Sequence, residues 1–71
     1  MGEMNITLNG KQRELLSETE VAALLGELGV RPEQVAVAVN GEVVRRSDWA
    51  KTVVRDGDAV EVVRAVGGGA V

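Results

Sequence analysis

The stretch Asp56-Gly57-Asp58-Ala59-Val60-Glu61-Val62-Val63-Arg64-Ala65-Val66-Gly67-Gly68-Gly69 decides how this chain folds. Asp56-Gly57-Asp58 reads as a tight turn, and Ala59 to Val66 as a last strand rich in β-branched valine. If Val60 and Val62 point into a core, Glu61, Val63 and Ala65 point away from it. The strand then runs into glycines, which pack nothing and lose the most entropy when ordered. Such a run adds no stability to a domain, but its bare backbone can enter a cleft where a Cβ would clash. A frayed end is the competing reading of a glycine run taken alone.

Upstream, Asn5-Ile6-Thr7-Leu8 alternates as a half-buried strand does, and Asn9-Gly10 is a strong two-residue hairpin signal. Lys11 to Leu15 returns as the second strand. Ser17 to Thr19 offers an N-cap, with Glu18 and Glu20 favourable beside a helix N-terminus. Val21, Leu24, Leu25 and Leu28 follow helical spacing over roughly nine to eleven residues, ended by Gly29 and Arg31-Pro32. Val35-Ala36-Val37-Ala38-Val39 is the next strand, turned by Asn40-Gly41 into Glu42-Val43-Val44-Arg45. Ser47-Asp48-Trp49-Ala50 reads as a capped turn or short 3₁₀ segment, with Trp49 covering one edge of the core.

With a single helix, the apolar stripe must bury against one face of a sheet. The last strand cannot simply extend the second hairpin, because the first strand also needs a neighbour. Placed centrally, beside the first strand, it gives a mixed four- to five-stranded sheet curled around one main helix. This is an α+β domain of the β-grasp arrangement, covering residues 1–66, with residues 67–71 as a flexible glycine-rich tail.

Composition removes most other functions. The chain has 71 residues, one domain's worth, with 45% apolar residues and Trp49 as its one aromatic. It contains no Cys and no His, so it has no thiolate nucleophile, no ordinary catalytic triad and no usual zinc or haem site. No glycine-rich loop followed by Lys-Ser/Thr is present to hold ATP. Asp56 and Asp58 flank a turn glycine, where loop carboxylates are commoner than acid–base pairs. The net charge is −3 and the basic residues are scattered, which argues against nucleic acid. The polar start Met1-Gly2-Glu3-Met4-Asn5 lacks a signal peptide's apolar segment, and no stretch suits a membrane span. The expectation is a cytoplasmic protein that is not an enzyme and binds no cofactor.

In order and spacing, these pieces resemble the ubiquitin-like β-grasp sulfur carriers, and most closely the ThiS-type carriers of thiamin biosynthesis. The resemblance spans nearly the whole chain. It is carried by Asn5-Ile6-Thr7-Leu8-Asn9-Gly10, Val39-Asn40-Gly41-Glu42-Val43-Val44, Ser47-Asp48-Trp49, Asp56-Gly57-Asp58-Ala59-Val60-Glu61 and the glycine tail. It implies a terminal glycine carboxylate that an E1-like adenylating enzyme (ThiF-type) activates with ATP. A persulfide sulfur donor then converts it to a thiocarboxylate, which serves thiazole synthase (ThiG-type). The chemistry is consistent: a free α-carboxylate, with a pKa of about 3.5, is an anion and a poor electrophile at neutral pH. Nothing in this chain activates it, so activation falls to a partner that binds ATP.

Counted without gaps from Asp56-Gly57-Asp58, the family's diglycine falls on Gly68-Gly69, with Gly67 and Val66 in the tail before it. Val66 to Gly69 reaches about 13 Å when extended. Ala70 and Val71 follow, which leaves three alternatives: trimming that exposes the Gly69 carboxylate, a partner that tolerates the extension, or a carrier not functional as written. Trimming is favoured, and Gly67-Gly68 is the other diglycine register. Glu61, Val63 and Ala65, with Ala36 and Ala38 if the two strands are neighbours, form a flat, weakly apolar outer face suited to a partner. Other readings are a carrier for molybdopterin synthesis or tRNA thiolation, a non-catalytic β-grasp interaction module, or a ubiquitin-like modifier.

Overall fold

The computed structural model describes residues 4–64. Its strands are β1 (Met4–Leu8), β2 (Lys11–Leu15), β3 (Thr19–Glu20), β4 (Val35–Val39), β5 (Glu42–Val44), β6 (Val53–Val54) and β7 (Ala59–Arg64), and its helix is α1 (Val21–Leu28). Single 3₁₀ turns occupy Pro32–Gln34 and Arg46–Asp48. Five strands form one mixed sheet in the order β2-β1-β7-β4-β5. The last strand is therefore central: parallel to β1, with Thr7 opposite Ala59, and antiparallel to β4, with Val37 opposite Val62. The central placement expected for the last strand holds. Residues 65 and 66, expected to continue it, lie outside the described residues, as does the tail.

Both Asn-Gly pairs make the expected turns. Asn9 and Gly10 have φ of 54° and 83°, and Asn40 and Gly41 have 53° and 86°. Two consecutive positive φ values are what a two-residue turn needs to match the twist of its strands. They set the registers Leu8↔Lys11 and Val39↔Glu42, and every later pairing in each hairpin follows from them.

The helix starts differently from its sequence reading. No Ser or Thr caps it: Glu20 is the N-cap residue and makes no side-chain cap, while the Thr19 hydroxyl donates to the Ser17 carbonyl at 3.0 Å. Thr19–Glu20 instead pairs with Val53–Val54 as a small second sheet. The pairing brings main-chain carbonyls to the helix end, where Val21 N–H donates to Thr52 O (2.9 Å) and Ala22 N–H to Trp49 O (3.3 Å). Tertiary acceptors thus satisfy two of the donors that a cap would have served. The helix is also shorter than expected, at 8 residues, and Gly29 closes it at φ 75° with its N–H on the Leu25 and Gly26 carbonyls.

The core lies between the helix and the concave face of the sheet. Ile6, Val37 and Val60 from three adjacent strands meet Val21, Leu24 and Leu25 from the helix, all at 2% exposure or less. Met4, Leu15, Trp49 and Val54 complete it. Trp49 is buried, and its indole N–H donates to the Val44 carbonyl at 3.0 Å, so it ties the segment after β5 to that strand. The ring closes the core and is not available as a stacking platform.

Two substitutions on α1 separate burial from propensity. Leu24→Ala removes a fully buried side chain and is expected to cost about 2–5 kcal/mol. Gly26 is exposed, and a Cβ there would meet nothing within 4 Å. Gly26→Ala is therefore expected to stabilise the domain by about 0.5–1 kcal/mol. Urea denaturation measures both, and a loss of stability in Gly26→Ala would contradict this description of the helix face.

Candidate functional site

The strand β7 leads to the glycine tail, and its two faces have opposite roles. Val60 is buried and Val62 half-buried toward the helix, while Glu61 and Val63 are exposed on the other face. Strand pairing puts Ala38 beside Glu61 and Ala36 beside Val63. The expected neighbours Glu61, Val63, Ala36 and Ala38 are thus brought together, and both alanines are half-buried. Ala65 lies outside the described residues.

The sequence reading missed one member. Val43 on β5 stands opposite Ala38 and is 79% exposed, which extends the outer face across three strands. Its place follows from the Asn40-Gly41 turn: with Val39 opposite Glu42, the next pair must be Ala38 and Val43. Together with the Val37 backbone, these residues line a shallow depression of about 100 Å³. Alanine makes its floor, and Val43 and Val63, the latter 56% exposed, flank it. Glu61 is the one charged side chain in the lining. Such a surface can bury apolar area against another protein, but it holds no group for bond making.

A larger groove, of about 490 Å³, opens where β7 ends, between the sheet and the C-terminal end of the helix. Leu8, Leu28, Val30, Val35 and Val62 line it, with Arg31 and Arg64 among the lining residues. It adjoins the root of the tail rather than forming an enclosed pocket.

The turn acids have structural work. Asp58 accepts from Arg55 N–H at 2.9 Å and from the Asn40 side-chain amide at 3.0 Å. Asp56 accepts from Asn5 N–H at 2.8 Å. Both carboxylates organise the Asp56-Gly57-Asp58 turn, where Gly57 has φ 89°. Among the described residues, no group of three or more acids could hold a metal ion. No helix there is long and apolar enough to cross a membrane.

The asparagine side chains were read only as turn formers, yet both reach β7. Asn9 Oδ1 accepts from Val62 N–H at 2.8 Å and its Nδ2 donates to Val62 O at 3.1 Å. Asn40 Oδ1 accepts from Ala59 N–H at 2.9 Å. Sequence reading finds an Asn-Gly turn by its φ requirement. Where the amide lands depends on which strand lies alongside.

The arrangement defines a small β-grasp protein whose central strand carries a weakly apolar outer face and is followed in sequence by a glycine-rich end. The model of the ThiS family matches residues 6–69, a span that includes Gly68 and Gly69. The sulfur carrier protein ThiS of Escherichia coli is 32% identical over 66 residues, covering 93% of this chain and 100% of the relative. The crystal structure of the thiamine biosynthesis protein ThiS from Geobacter metallireducens superposes with a TM-score of 0.79 at 43% identity, covering 84% of this chain and 91% of that one. The thiazole synthase of Paramagnetospirillum magneticum is 46% identical over 66 residues, but this chain spans only 20% of its length. The chain belongs to the ThiS family.

The two faces of β7 predict opposite responses to a polar side chain. Val43→Ser and Val63→Ser are expected to change stability by no more than about 0.5 kcal/mol. Val62→Ser, on the core side, is expected to cost about 1–3 kcal/mol. Chemical denaturation of the three variants checks the assignment, and equal losses would refute it.

Proposed function

We propose that this chain carries sulfur as a thiocarboxylate on Gly69 and delivers it for thiazole formation. The match of the family model through residue 69 is the observation that carries this reading. In it, residues 1–66 are the folded body and residues 67–71 the working tail. The reaction needs a free carboxyl group on Gly69. Because Ala70 follows, the Gly69–Ala70 peptide bond has to be hydrolysed first.

Once free, the carboxylate must exchange an oxygen for sulfur, and an anion resists attack by a thiolate. An E1-like adenylating enzyme of the ThiF type overcomes this by placing AMP on the carboxyl oxygen and releasing pyrophosphate. A persulfide then attacks the carbonyl carbon and expels AMP to give an acyl disulfide. A partner's thiol attacks the distal sulfur, releasing the thiocarboxylate and forming a disulfide with the donor's sulfur. ATP and the persulfide belong to the partners, and the carrier binds no cofactor of its own. Gly68 and Gly69, with Gly67 and Val66 behind them, supply a backbone thin enough to reach the adenylating site.

The outer face of Glu61, Val63, Ala65, Ala36, Ala38 and Val43 is the docking surface for the activating enzyme in this reading. Its support is the exposed valine pair and the continuity of β7 with the tail. A thiazole synthase of the ThiG type receives the sulfur. The 46% and 41% identity to segments of two thiazole synthases supports a close association between carrier and synthase. The setting proposed for these reactions is the cytoplasm.

The intact mass of the protein from its native cells tests the central claim. The expected species ends at Gly69 with one oxygen replaced by sulfur. A chain that retains Ala70 and carries no sulfur, with the activating enzyme present, would overturn it. Val63→Glu is expected to lower the rate of adenylation about tenfold while the fold remains intact. Unchanged kinetics would remove this face from the interface.

A further inference from the structure

The parallel pairing of β1 with β7 is short. It covers Thr7↔Ala59 and Leu8↔Val60, and then β1 turns away at Asn9-Gly10. The Asn9 main-chain N–H makes the last ladder bond, to Val60 O at 2.9 Å. From there, the β1-facing edge of β7 has lost its strand neighbour, although β7 continues to Arg64. On the other edge β4 keeps pace, with Val37, Ala36 and Val35 opposite Val62, Val63 and Arg64.

The Asn9 side chain fills the vacated edge. A primary amide offers a carbonyl acceptor and N–H donors in one plane, as a peptide group does. It meets both main-chain groups of Val62 on that edge, accepting from its N–H at 2.8 Å and donating to its carbonyl at 3.1 Å. The ladder is thereby lengthened by one residue with no additional strand. The left-handed φ of Asn9 is tolerated by asparagine as well as glycine, but only asparagine brings this amide.

We infer that Asn9 is a positioning residue that fixes the direction in which the tail leaves the domain. This rests on the proposed reading of Gly69 as the reacting end. At Val62, two residues before Arg64, Asn9 holds the β1-facing edge of β7 while pairing with β4 holds the other, so β7 cannot pivot about β4 alone. The reach from Ala65 to Gly69 is up to about 17 Å. A small rotation at Val62 is multiplied over that length, whereas reacting atoms must meet within about 3.5 Å. Backbone freedom released at the root must be removed again each time a partner engages the tail.

The other hairpin supplies an internal control. Asn40 has nearly the same φ and also bonds β7, but at Ala59, the end remote from the tail. Glycine at either position preserves the turn and deletes the amide. Asn9→Gly and Asn40→Gly therefore remove similar contacts from opposite ends of one strand.

The test compares both variants with the wild type, by amide hydrogen exchange on the full chain and by ATP–pyrophosphate exchange with a ThiF-type enzyme on carrier matured to Gly69. Asn9→Gly is expected to speed exchange selectively at Val62, which loses its acceptor, and at the adjoining Val63. It is also expected to raise the carrier KM about tenfold with kcat within about twofold, as re-fixing roughly one residue's backbone demands. Asn40→Gly is expected to lose comparable stability and keep KM within about twofold of wild type. Equal KM values for the two variants, or exchange that rises evenly along β7, would overturn the role of Asn9. If the wild-type carrier supports no pyrophosphate exchange, the proposed function fails, and the amide-exchange arm alone decides the latch.

Discussion

The fold depends on one strand being received between two hairpins. β7 is the last element in sequence and the central one in space, with β1 on one side and β4 on the other. A two-stranded hairpin alone is marginal in water, and neither hairpin here makes a closed layer under α1. When β7 enters, Val60 completes an apolar surface with Ile6 and Val37, and the helix has a continuous face to bury. The contacts that achieve this join residues about fifty positions apart, such as Thr7 and Ala59. Loop closure of that length costs only slowly more entropy than a short one, and the core it creates offsets the cost.

The element that holds the domain together is also the one that carries the tail. Its backbone is paired with β4 as far as Arg64, the last described residue. A carrier with its working end on a peripheral strand would present that end from the least stable part of the fold. In the proposed reading, the tail follows a strand held by the same hydrogen bonds that close the sheet. The chemistry, by contrast, is wholly external. On that reading, a chain without His or Cys supplies a carboxylate, a reach and a surface, as its ThiS relatives, named sulfur carrier proteins, would lead one to expect.

Among the described residues, a single helix also leaves one face of the sheet uncovered. An antiparallel or mixed sheet tolerates this when the outer positions are small or polar. Ala36, Ala38 and Glu61 satisfy that condition, while Val43 and Val63 exceed it. Two exposed valines flanking the half-buried alanines make a small apolar surface that gains by being covered.

Local chemistry wrote much of this architecture into the sequence. The positive φ demanded by Asn9-Gly10 and Asn40-Gly41 located both hairpins and fixed their registers. The spacing of Val21, Leu24 and Leu25 gave the helix its buried face. The need of the first strand for a neighbour placed β7 at the centre, and alternation along β7 put Glu61 and Val63 outside. Those features were legible because each depends on a residue's own conformational limits or on a period of two or 3.6. The helix start was misread because a cap is a local rule, and the Thr52 and Trp49 carbonyls that replaced it come from thirty residues away. Val43 was recoverable from the turn register, but the landing points of Asn9 on Val62 and Asn40 on Ala59 were not. A side-chain amide bonds whatever backbone lies beside it, and only the assembled sheet decides which backbone that is.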